Sequence, residues 1–291
     1  MPADLANKVL RSRAVRSLVS TLENTVPGLR AWHRFEYEQQ FAQTTSKARM
    51  FSGVYDTFQA ALHAVPDGAR IGYDNPEVAD RHSSEVGHVW PSDYPVLFWM
   101  SSLLRENARV FDLGGAVGVS FYGFQERMEY PVRMTWTVCD VPAVAKCGRE
   151  IARQKHAMGL SFTSSFSDCD GADILLASGS LMYIEKSLPV LLAALSSKPK
   201  HVLVNRAAFC EGPAFVTLQN IGQAICPYQI RNQREFIREF EETGYTLVDS
   251  WDAPEFSCYI PFHPERSVRA YRGMYFRLRE GGGAEGGAKS Q

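Results

Sequence analysis

The sequence predicts an α/β fold: a doubly wound, mostly parallel seven-stranded sheet with an antiparallel last strand and a helical N-terminal cap. From residue 108 onward, short apolar runs alternate with amphipathic helical stretches, which is typical of parallel strands joined by right-handed crossovers. The two last β-rich runs, 245–251 and 269–278, have no convincing helix between them. A parallel neighbour would need a long crossover, so these runs predict a closing hairpin.

The elements follow in order along the chain. Before residue 105 the sequence reads as helices and loops with aromatic clusters, and 68–95 reads as a long loop of the kind that forms lids. We therefore expect a cap or lid over residues 1–105, a main domain over 106–280 and a disordered, Gly-rich tail over 281–291. The first five predicted strands are 109–112, 134–141, 160–164, 172–178 and 201–205, and the predicted helices are 141–156, 188–196 and 232–243.

Composition excludes some classes of partner. The 291-residue chain has a formal net charge of -1, which gives no global electrostatic reason to expect nucleic acid as a partner. None of the six cysteines forms a C-x-x-C pair, which favours a reduced, cytoplasmic protein. No apolar run approaches the ~20 residues of a membrane span. The basic N-terminal segment, residues 1–18, leaves contact with a membrane surface open, and a homodimer is also left open.

A glycine turn is the strongest local signal. The predicted strand at 109–112 leads into a turn with Asp112, Gly114, Gly115 and Gly118, and a helix is expected to follow. Glycines allow a backbone to approach a ligand where a Cβ would clash, and the helix start offers free N–H groups. Such a turn is weak evidence alone, because many are only tight connections.

The tip of the next strand carries an acid. Asp140 is followed by Val141 and Pro142. An acid at this place can accept hydrogen bonds from both hydroxyls of a ribose. The alternative is a helix N-cap, since Asp is favoured there and Pro is favoured just inside a helix. The two roles are compatible.

Polar tips also follow the third and fourth predicted strands. Ser164, Ser165 and Phe166 would suit the edge and face of an adenine, or form a plain serine-rich turn. Ser178 and Gly179 end the strand at 172–178, where ligands bind in open α/β sheets. The predicted cofactor site therefore contains Asp112, Gly114, Gly115, Gly118, Asp140, Val141, Ser164, Ser165, Phe166, Ser178 and Gly179.

These residues resemble a known family. The tripeptide at 140–142 is similar to the Asp-Leu-Pro signature of small-molecule O-methyltransferases, and the run 178–184 resembles a family of bacterial methyltransferases associated with polysaccharide or natural-product gene clusters. The resemblance spans about residues 50–278. It implies a class I methyltransferase with the Rossmann-like fold, S-adenosylmethionine as methyl donor and S-adenosylhomocysteine as product. Ala116 and Asn205, where the family would have a glycine and an acid, depart from the pattern.

A small-molecule acceptor is the expected partner, with O-methylation of a sugar or natural-product intermediate as the leading activity. N- and C-methylation stay open. Methyl transfer mainly needs alignment of the nucleophile with the methyl group, and a hydroxyl acceptor also calls for a general base, most often His. His88, in the long loop, is the candidate base, with a structural role as the alternative. No metal is predicted, because the spacing of His82, Glu85, His88 and Asp93 is not diagnostic.

Two further residues are candidates for the acceptor side. Tyr183 lies beyond the tip of the fourth predicted strand, toward the substrate. Arg206 follows buried residues of the fifth and could grip a carboxylate or phosphate with two hydrogen bonds, or pair with Glu185 or Glu211.

Two other classes of function compete. A nicotinamide-dependent dehydrogenase would need G-x-G-x-x-G at the first helix, and the glycines here do not have that register. A methyltransferase-like fold that binds the cofactor without turnover would keep the same glycine and acid signals, so this scaffold alternative stays open.

Overall fold

The computed structural model describes residues 28–43 and 49–280. The predicted tail at 281–291 and the basic segment at 1–18 lie outside the described residues. In chain order the elements are α1 (Leu29–Ala42), β1 (Met50–Tyr55), α2 (Phe58–His63), α3 (Pro76–Ser83), α4 (Asp93–Leu103), β2 (Arg109–Leu113), α5 (Val119–Gln125), β3 (Thr135–Cys139), α6 (Pro142–Gln154), β4 (Leu160–Thr163), β5 (Ile174–Ser178), α7 (Leu188–Ala193), β6 (His201–Ala207), β7 (Phe209–Cys210), β8 (Phe215–Asn220), β9 (Ile225–Asn232), α8 (Gln233–Glu242), β10 (Tyr245–Ala253) and β11 (Tyr271–Leu278).

The large sheet has the predicted architecture. Its seven strands run in the order β10-β11-β6-β5-β2-β3-β4. The pairs β2–β3, β2–β5, β3–β4 and β5–β6 are parallel, whereas β11 is antiparallel to both β6 and β10. The α/β class, the seven strands and the antiparallel last strand are therefore confirmed.

Both faces of the central strands are buried, as in other parallel sheets. Along β5, Ile174 and Leu176 pack into one hydrophobic cluster with Trp136, while Leu175 and Ala177 pack into another. The period of two places alternate residues on opposite faces, and helices cover both. This arrangement holds the carboxyl ends of the parallel strands at one rigid edge.

A second, four-stranded sheet was not predicted. Its order is β1-β8-β9-β7, with β1–β8 and β8–β9 antiparallel and β7–β9 parallel. The region expected to be helices and loops contains α1, α2, α3 and α4, but it also contributes the strand β1, which was not predicted. The sheet also draws on residues 209–232, where no strand was predicted. The boundaries at residues 105 and 280 stay predictions.

The predicted long loop at 68–95 also contains a helix. α3 begins after Asn75, whose side chain accepts a hydrogen bond from the N–H of Val78, and Pro76 occupies its first turn. These are ordinary helix-start signals. A loop residue, Asp74, accepts a hydrogen bond from the N–H of Ala143 (2.8 Å), which ties the segment to the start of α6.

No helix in the described part of the chain is long and apolar enough to cross a membrane.

Candidate functional site

Polar side chains gather at the carboxyl ends of β2, β3, β5 and β6. Because these four strands are parallel neighbours, their ends meet at one edge of the sheet. Asp112, Asp140, Ser178 and Arg206 lie at or next to these ends. The structure therefore brings together the strand tips on which the sequence prediction of the site depends.

The glycines of the turn are required by the packing of the protein itself. Gly114 (φ 71°) and Gly118 (φ 92°) adopt the left-handed conformation that favours glycine. A Cβ on Gly114 would collide with Ser180, whose Oγ donates to the carbonyl of Leu113 (2.6 Å). A Cβ on Gly115 would collide with the carboxylate of Asp112. Space for a ligand is therefore not needed to explain Gly114 and Gly115.

Asp140 ties the glycine turn to the next strand. Its Oδ2 accepts a hydrogen bond from the N–H of Ala116 (2.9 Å) and its Oδ1 from that of Val141 (2.8 Å). Ala116 has φ 53°, so the alanine keeps the left-handed conformation of the glycine that it replaces, at a cost of about 1 kcal/mol. The N-cap of α6 is Val141, so Asp140 does not take the N-cap role considered from the sequence.

Asp112 is the most deeply buried carboxyl of the turn. Its Oδ2 accepts a hydrogen bond from Nε1 of Trp136 (3.2 Å), and its Oδ1 has no partner among the described residues. Burial, together with the charge of Asp140, raises the pKa of Asp112 to about 7, against the hydrogen bond from Trp136. This carboxyl therefore changes charge near neutral pH.

A hydrogen-bonded group joins the ends of β5 and β6 to α4. Ser178 Oγ accepts from Nδ2 of Asn205 (3.2 Å) and from Nε of Arg206 (3.1 Å). Nδ2 of Asn205 also donates to Asp93 Oδ1 (2.8 Å), and its Oδ1 accepts from Nε1 of Trp251 (2.9 Å). The amide at 205 uses both its donor and acceptor groups, which a carboxylate beside Asp93 could not do.

Arg206 lies in an aromatic and acidic environment. Its guanidinium lies over the ring of Trp90 (4.2 Å), and its Nε is 3.8 Å from Oδ1 of Asp93. The acid beside it is therefore Asp93, and not Glu185 or Glu211, the two acids considered from the sequence. Burial lowers the pKa of Arg206, and Asp93 opposes that shift. Its backbone is left-handed (φ 53°), an uncommon conformation for a non-glycine residue.

Tyr183 belongs to a group of tyrosines at one face of the second sheet. Its hydroxyl donates to Oε1 of Gln219 on β8 (2.7 Å). Its ring centroid lies 4.6 Å from that of Tyr73 and 5.2 Å from that of Tyr228. Burial raises the pKa of Tyr183 to about 12, so its hydroxyl is neutral at physiological pH. We name Tyr73, Tyr183 and Tyr228 the tyrosine face.

His82 and Glu85 form a pair that the sequence indicated only as part of a rejected metal set. Nδ1 of His82 is 3.3 Å from Oε2 of Glu85, and the imidazole stacks on Tyr73 (6.1 Å, 19°). Burial opposes ionisation of Glu85, but His82 and neighbouring arginines lower its pKa overall. Their spacing of three residues at the end of α3 was the available signal. His88, in contrast, is exposed and packs edge-on against Trp90 (4.3 Å).

The pKa of Asp140 is influenced by His82, which lies on α3. Burial raises its pKa, and the hydrogen bond from Val141, the charge of His82 and the hydrogen bond from Ala116 limit the rise. α3 therefore lies on the Asp140 side of the edge, where a ribose was expected.

The serine-rich turn after β4 lies beside Asp140, whose N–H donates to the carbonyl of Thr163 (3.1 Å). Ser164 and Ser165 are exposed, and the half-buried Phe166 packs edge-on against Phe111 (5.8 Å). The adenine assignment stays a prediction, since a plain turn explains these contacts equally well.

Among the residues that the structure describes, no three His, Cys, Asp or Glu side chains are grouped as a metal site requires.

No family model and no curated protein sequence matches the chain. The chain is similar to solved structures of low identity. One is the 1,6-didemethyltoxoflavin-N1-methyltransferase of Burkholderia thailandensis, with bound 1,6-didemethyltoxoflavin and S-adenosylhomocysteine (18% identity, 74% of this chain and 95% of that one, TM-score 0.46). A second is a sarcosine dimethylglycine methyltransferase, so named provisionally, from Galdieria sulphuraria (12% identity, 68% and 97%, TM-score 0.46). A third is the mitomycin 7-O-methyltransferase (16% identity, 94% and 75%, TM-score 0.44).

Proposed function

We propose that the protein is an S-adenosylmethionine-dependent methyltransferase that acts on a small molecule, with O-methylation of a sugar or natural-product intermediate as the leading activity. The observation that carries the proposal is the row of strand ends at one edge of the large sheet. Asp112 and the glycine turn, Asp140, and Ser178 follow three adjacent parallel strands, β2, β3 and β5. Ligands of open α/β sheets bind at this edge.

The residues present fit the cofactor. Asp140 uses one lone pair on each oxygen for the backbone, which leaves one on each to accept a ribose hydroxyl. The buried Oδ1 of Asp112 has no partner in the described part of the chain. A buried polar atom of this kind normally has a partner, so this oxygen is a candidate acceptor for a donor of the cofactor. When bound, S-adenosylmethionine would supply the electrophilic methyl group.

The acceptor would lie between the edge of the large sheet and the tyrosine face. Tyr183 connects the two, because it follows β5 and its hydroxyl bonds to Gln219 on β8. Its neutral hydroxyl would orient a hydroxylated acceptor rather than remove a proton from it. Arg206 would hold a negative group of either ligand, since only its Nε donates a hydrogen bond within the described residues.

His82 is better placed than His88 to act as general base. Glu85 accepts from its Nδ1, which fixes the imidazole and leaves Nε2 free to take a proton. His82 also stacks on Tyr73, a member of the tyrosine face, whereas His88 is exposed and packs edge-on against Trp90. We therefore assign proton removal to His82 and its positioning to Glu85.

A methyl-transfer screen tests this proposal. The protein is incubated with S-adenosylmethionine labelled in its methyl group and with panels of sugars, sugar acids, phenols and amines, and labelled products are identified by mass spectrometry. Transfer to a hydroxyl supports the proposal. Transfer to an amine alone would contradict the O-methylation assignment, and cofactor binding without transfer to any compound would favour the scaffold alternative.

Variants at 82 and 88 separate the two histidines. His82→Gln is expected to lower kcat by about 100-fold or more. His88→Gln, the matched control, is expected to retain activity. The reverse ranking would show that His88 is the base.

A further inference from the structure

We propose that Arg49 binds a carboxylate or phosphate of the acceptor and so selects anionic acceptors. The inference rests on the proposed function, because the selected molecule would be the one methylated. It concerns a residue that no sequence motif indicates: Arg49 lies one position before β1, in the part of the chain that was expected to form helices and loops.

The pairing of β1 with β8 places Arg49 on the face that carries the tyrosines. Phe51 pairs with Gln219 in this antiparallel ladder, so both side chains lie on the same face. Gln219 accepts the hydrogen bond from Tyr183, which identifies that face as the one over the site. Arg49 is two residues before Phe51, and residues two apart along a strand share a face. Its side chain therefore projects toward the tyrosine face.

The guanidinium of Arg49 has no hydrogen-bonding or ion-pair partner among the described residues. Other arginines around the site are engaged: Arg81 donates to the carbonyl of Ile221 (2.8 Å), and Arg231 donates to that of Ile184 (2.6 Å). Arg49 is also exposed, so a ligand can reach it. A guanidinium is suited to bind an oxyanion through two parallel hydrogen bonds.

The surroundings keep this cation charged. Burial of part of the side chain opposes the charge of Arg49, but the oxygens of Tyr183, Tyr73 and Tyr228 and the carboxylate of Glu85 outweigh it and raise its pKa. Arg49 is also one of the charges that lower the pKa of Arg206. The two positive charges therefore influence each other, and an anion bound at Arg49 would reduce the repulsion between them.

Tyrosine hydroxyls on the same face extend this recognition to oxygen-rich molecules. The hydroxyl of Tyr183 gives its proton to Gln219, but it can still accept a hydrogen bond from a hydroxyl group of an acceptor whose negative group is held at Arg49. The site thus fits a hydroxylated anion, such as a sugar acid or a sugar phosphate. A carboxylate and a phosphate share this chemistry, and the experiment distinguishes them.

The test uses small probes and the full-length protein. Inorganic phosphate, D-glucuronate and neutral D-glucose are titrated by calorimetry in the presence of S-adenosylhomocysteine. Variants are Arg49→Gln, which removes the charge, Arg49→Lys, which keeps it, and Arg133→Gln, a control at an exposed arginine paired with Glu106. Circular dichroism establishes that each variant is folded.

Saturable binding of phosphate or D-glucuronate to the wild type is expected, with D-glucose at least about tenfold weaker. Arg49→Gln should weaken anion binding by about tenfold or more, Arg49→Lys by less, and Arg133→Gln should leave it unchanged. The anion that binds more strongly shows whether Arg49 prefers a phosphate or a carboxylate. Equal anion affinity in the wild type and Arg49→Gln, equal binding of D-glucose and D-glucuronate, or no saturable anion binding to the wild type would each overturn the proposal.

Binding of S-adenosylhomocysteine is measured separately on the same proteins, so the two proposals can fail independently. If it does not bind, the proposed function fails while the anion titration still reports on Arg49.

Discussion

Replacement of Asp112 with asparagine tests the charge of the buried carboxyl at the glycine turn. The folded protein raises the pKa of Asp112 to about 7, mainly by burial, whereas an unfolded Asp has a pKa of about 3.9. Between these two values the folded state holds a proton that the unfolded state has lost. Stability is therefore present at low pH and is lost as pH rises from about 4 to about 7.

The magnitude follows from the linkage. The interval from pH 5 to the folded pKa is about two pH units, and each unit changes the free energy of unfolding by about 1.4 kcal/mol. The wild type should therefore lose about 3 kcal/mol of unfolding free energy between pH 5 and pH 8 through this group. Asp112→Asn keeps an oxygen acceptor for Nε1 of Trp136 but carries no charge. The free energy of unfolding of the variant should therefore rise relative to the wild type by about 3 kcal/mol over this range.

The assay is urea unfolding of both proteins at pH 5, 6, 7 and 8 without cofactor. Asp56→Asn, at an exposed position, is the control for removal of one carboxylate, and the Asp112 effect is the difference between the two variants. Parallel profiles for Asp112→Asn and the wild type would refute the reasoning, because they would mean that Asp112 ionises as freely in the folded chain as in the unfolded one.

Substitutions at three further positions probe contacts of the site. Ala116→Gly should leave the free energy of unfolding within about 1 kcal/mol of the wild type, since relief of the left-handed strain offsets the extra entropy of the unfolded chain, whereas Ala116→Val should lower it by more; equal losses in urea would contradict the strain. Asn205→Asp places a second carboxylate beside Asp93 and should cost about 2 kcal/mol or more at pH 7, with partial recovery at pH 5; a loss of Tm that does not change with pH would argue against repulsion. Tyr183→Phe leaves the buried Oε1 of Gln219 without its donor and should cost about 1–2 kcal/mol by denaturant unfolding; no loss would mean that the bond contributes nothing.

The large sheet could be predicted because its signals are local. The central parallel strands are short apolar runs buried on both faces, as Ile174–Ser178 shows, and helical stretches separate the parallel strands along the chain. The sequence between the last two strands has no helical pattern, and this absence correctly predicted that β11 is antiparallel.

The second sheet could not be predicted, because its pairing is distant in sequence. The hydroxyl of Thr217 bonds to the carbonyl of Ser52 across 165 positions, and no local pattern records such a contact. β8 also has Thr217, Gln219 and Asn220 at buried positions. In the sequence these polar residues are typical of a loop rather than of a buried strand. A buried polar side chain is tolerated only when hydrogen-bonded, and those bonds become visible only in the structure.

The site could be predicted only in part, because some of its signals are local and others depend on contacts between distant residues. Asp140 could be found from its place at a strand tip, but its bonds to the turn, and the meeting of Asn205 with Asp93 across 112 positions, depend on tertiary structure. The glycines were read as room for a ligand, whereas Ser180 and Asp112 occupy the space that a Cβ on Gly114 or Gly115 would need.

Equilibrium binding of S-adenosylhomocysteine to the folded wild-type protein, measured by calorimetry, tests the central claim most directly. The account predicts saturable binding to one site per chain. It also predicts that Asp140→Asn, which keeps one carbonyl oxygen but loses the second acceptor, binds more weakly by about tenfold while remaining folded. No heat of binding from folded protein would contradict the claim, and undiminished binding by Asp140→Asn would contradict the role of Asp140 at the ribose.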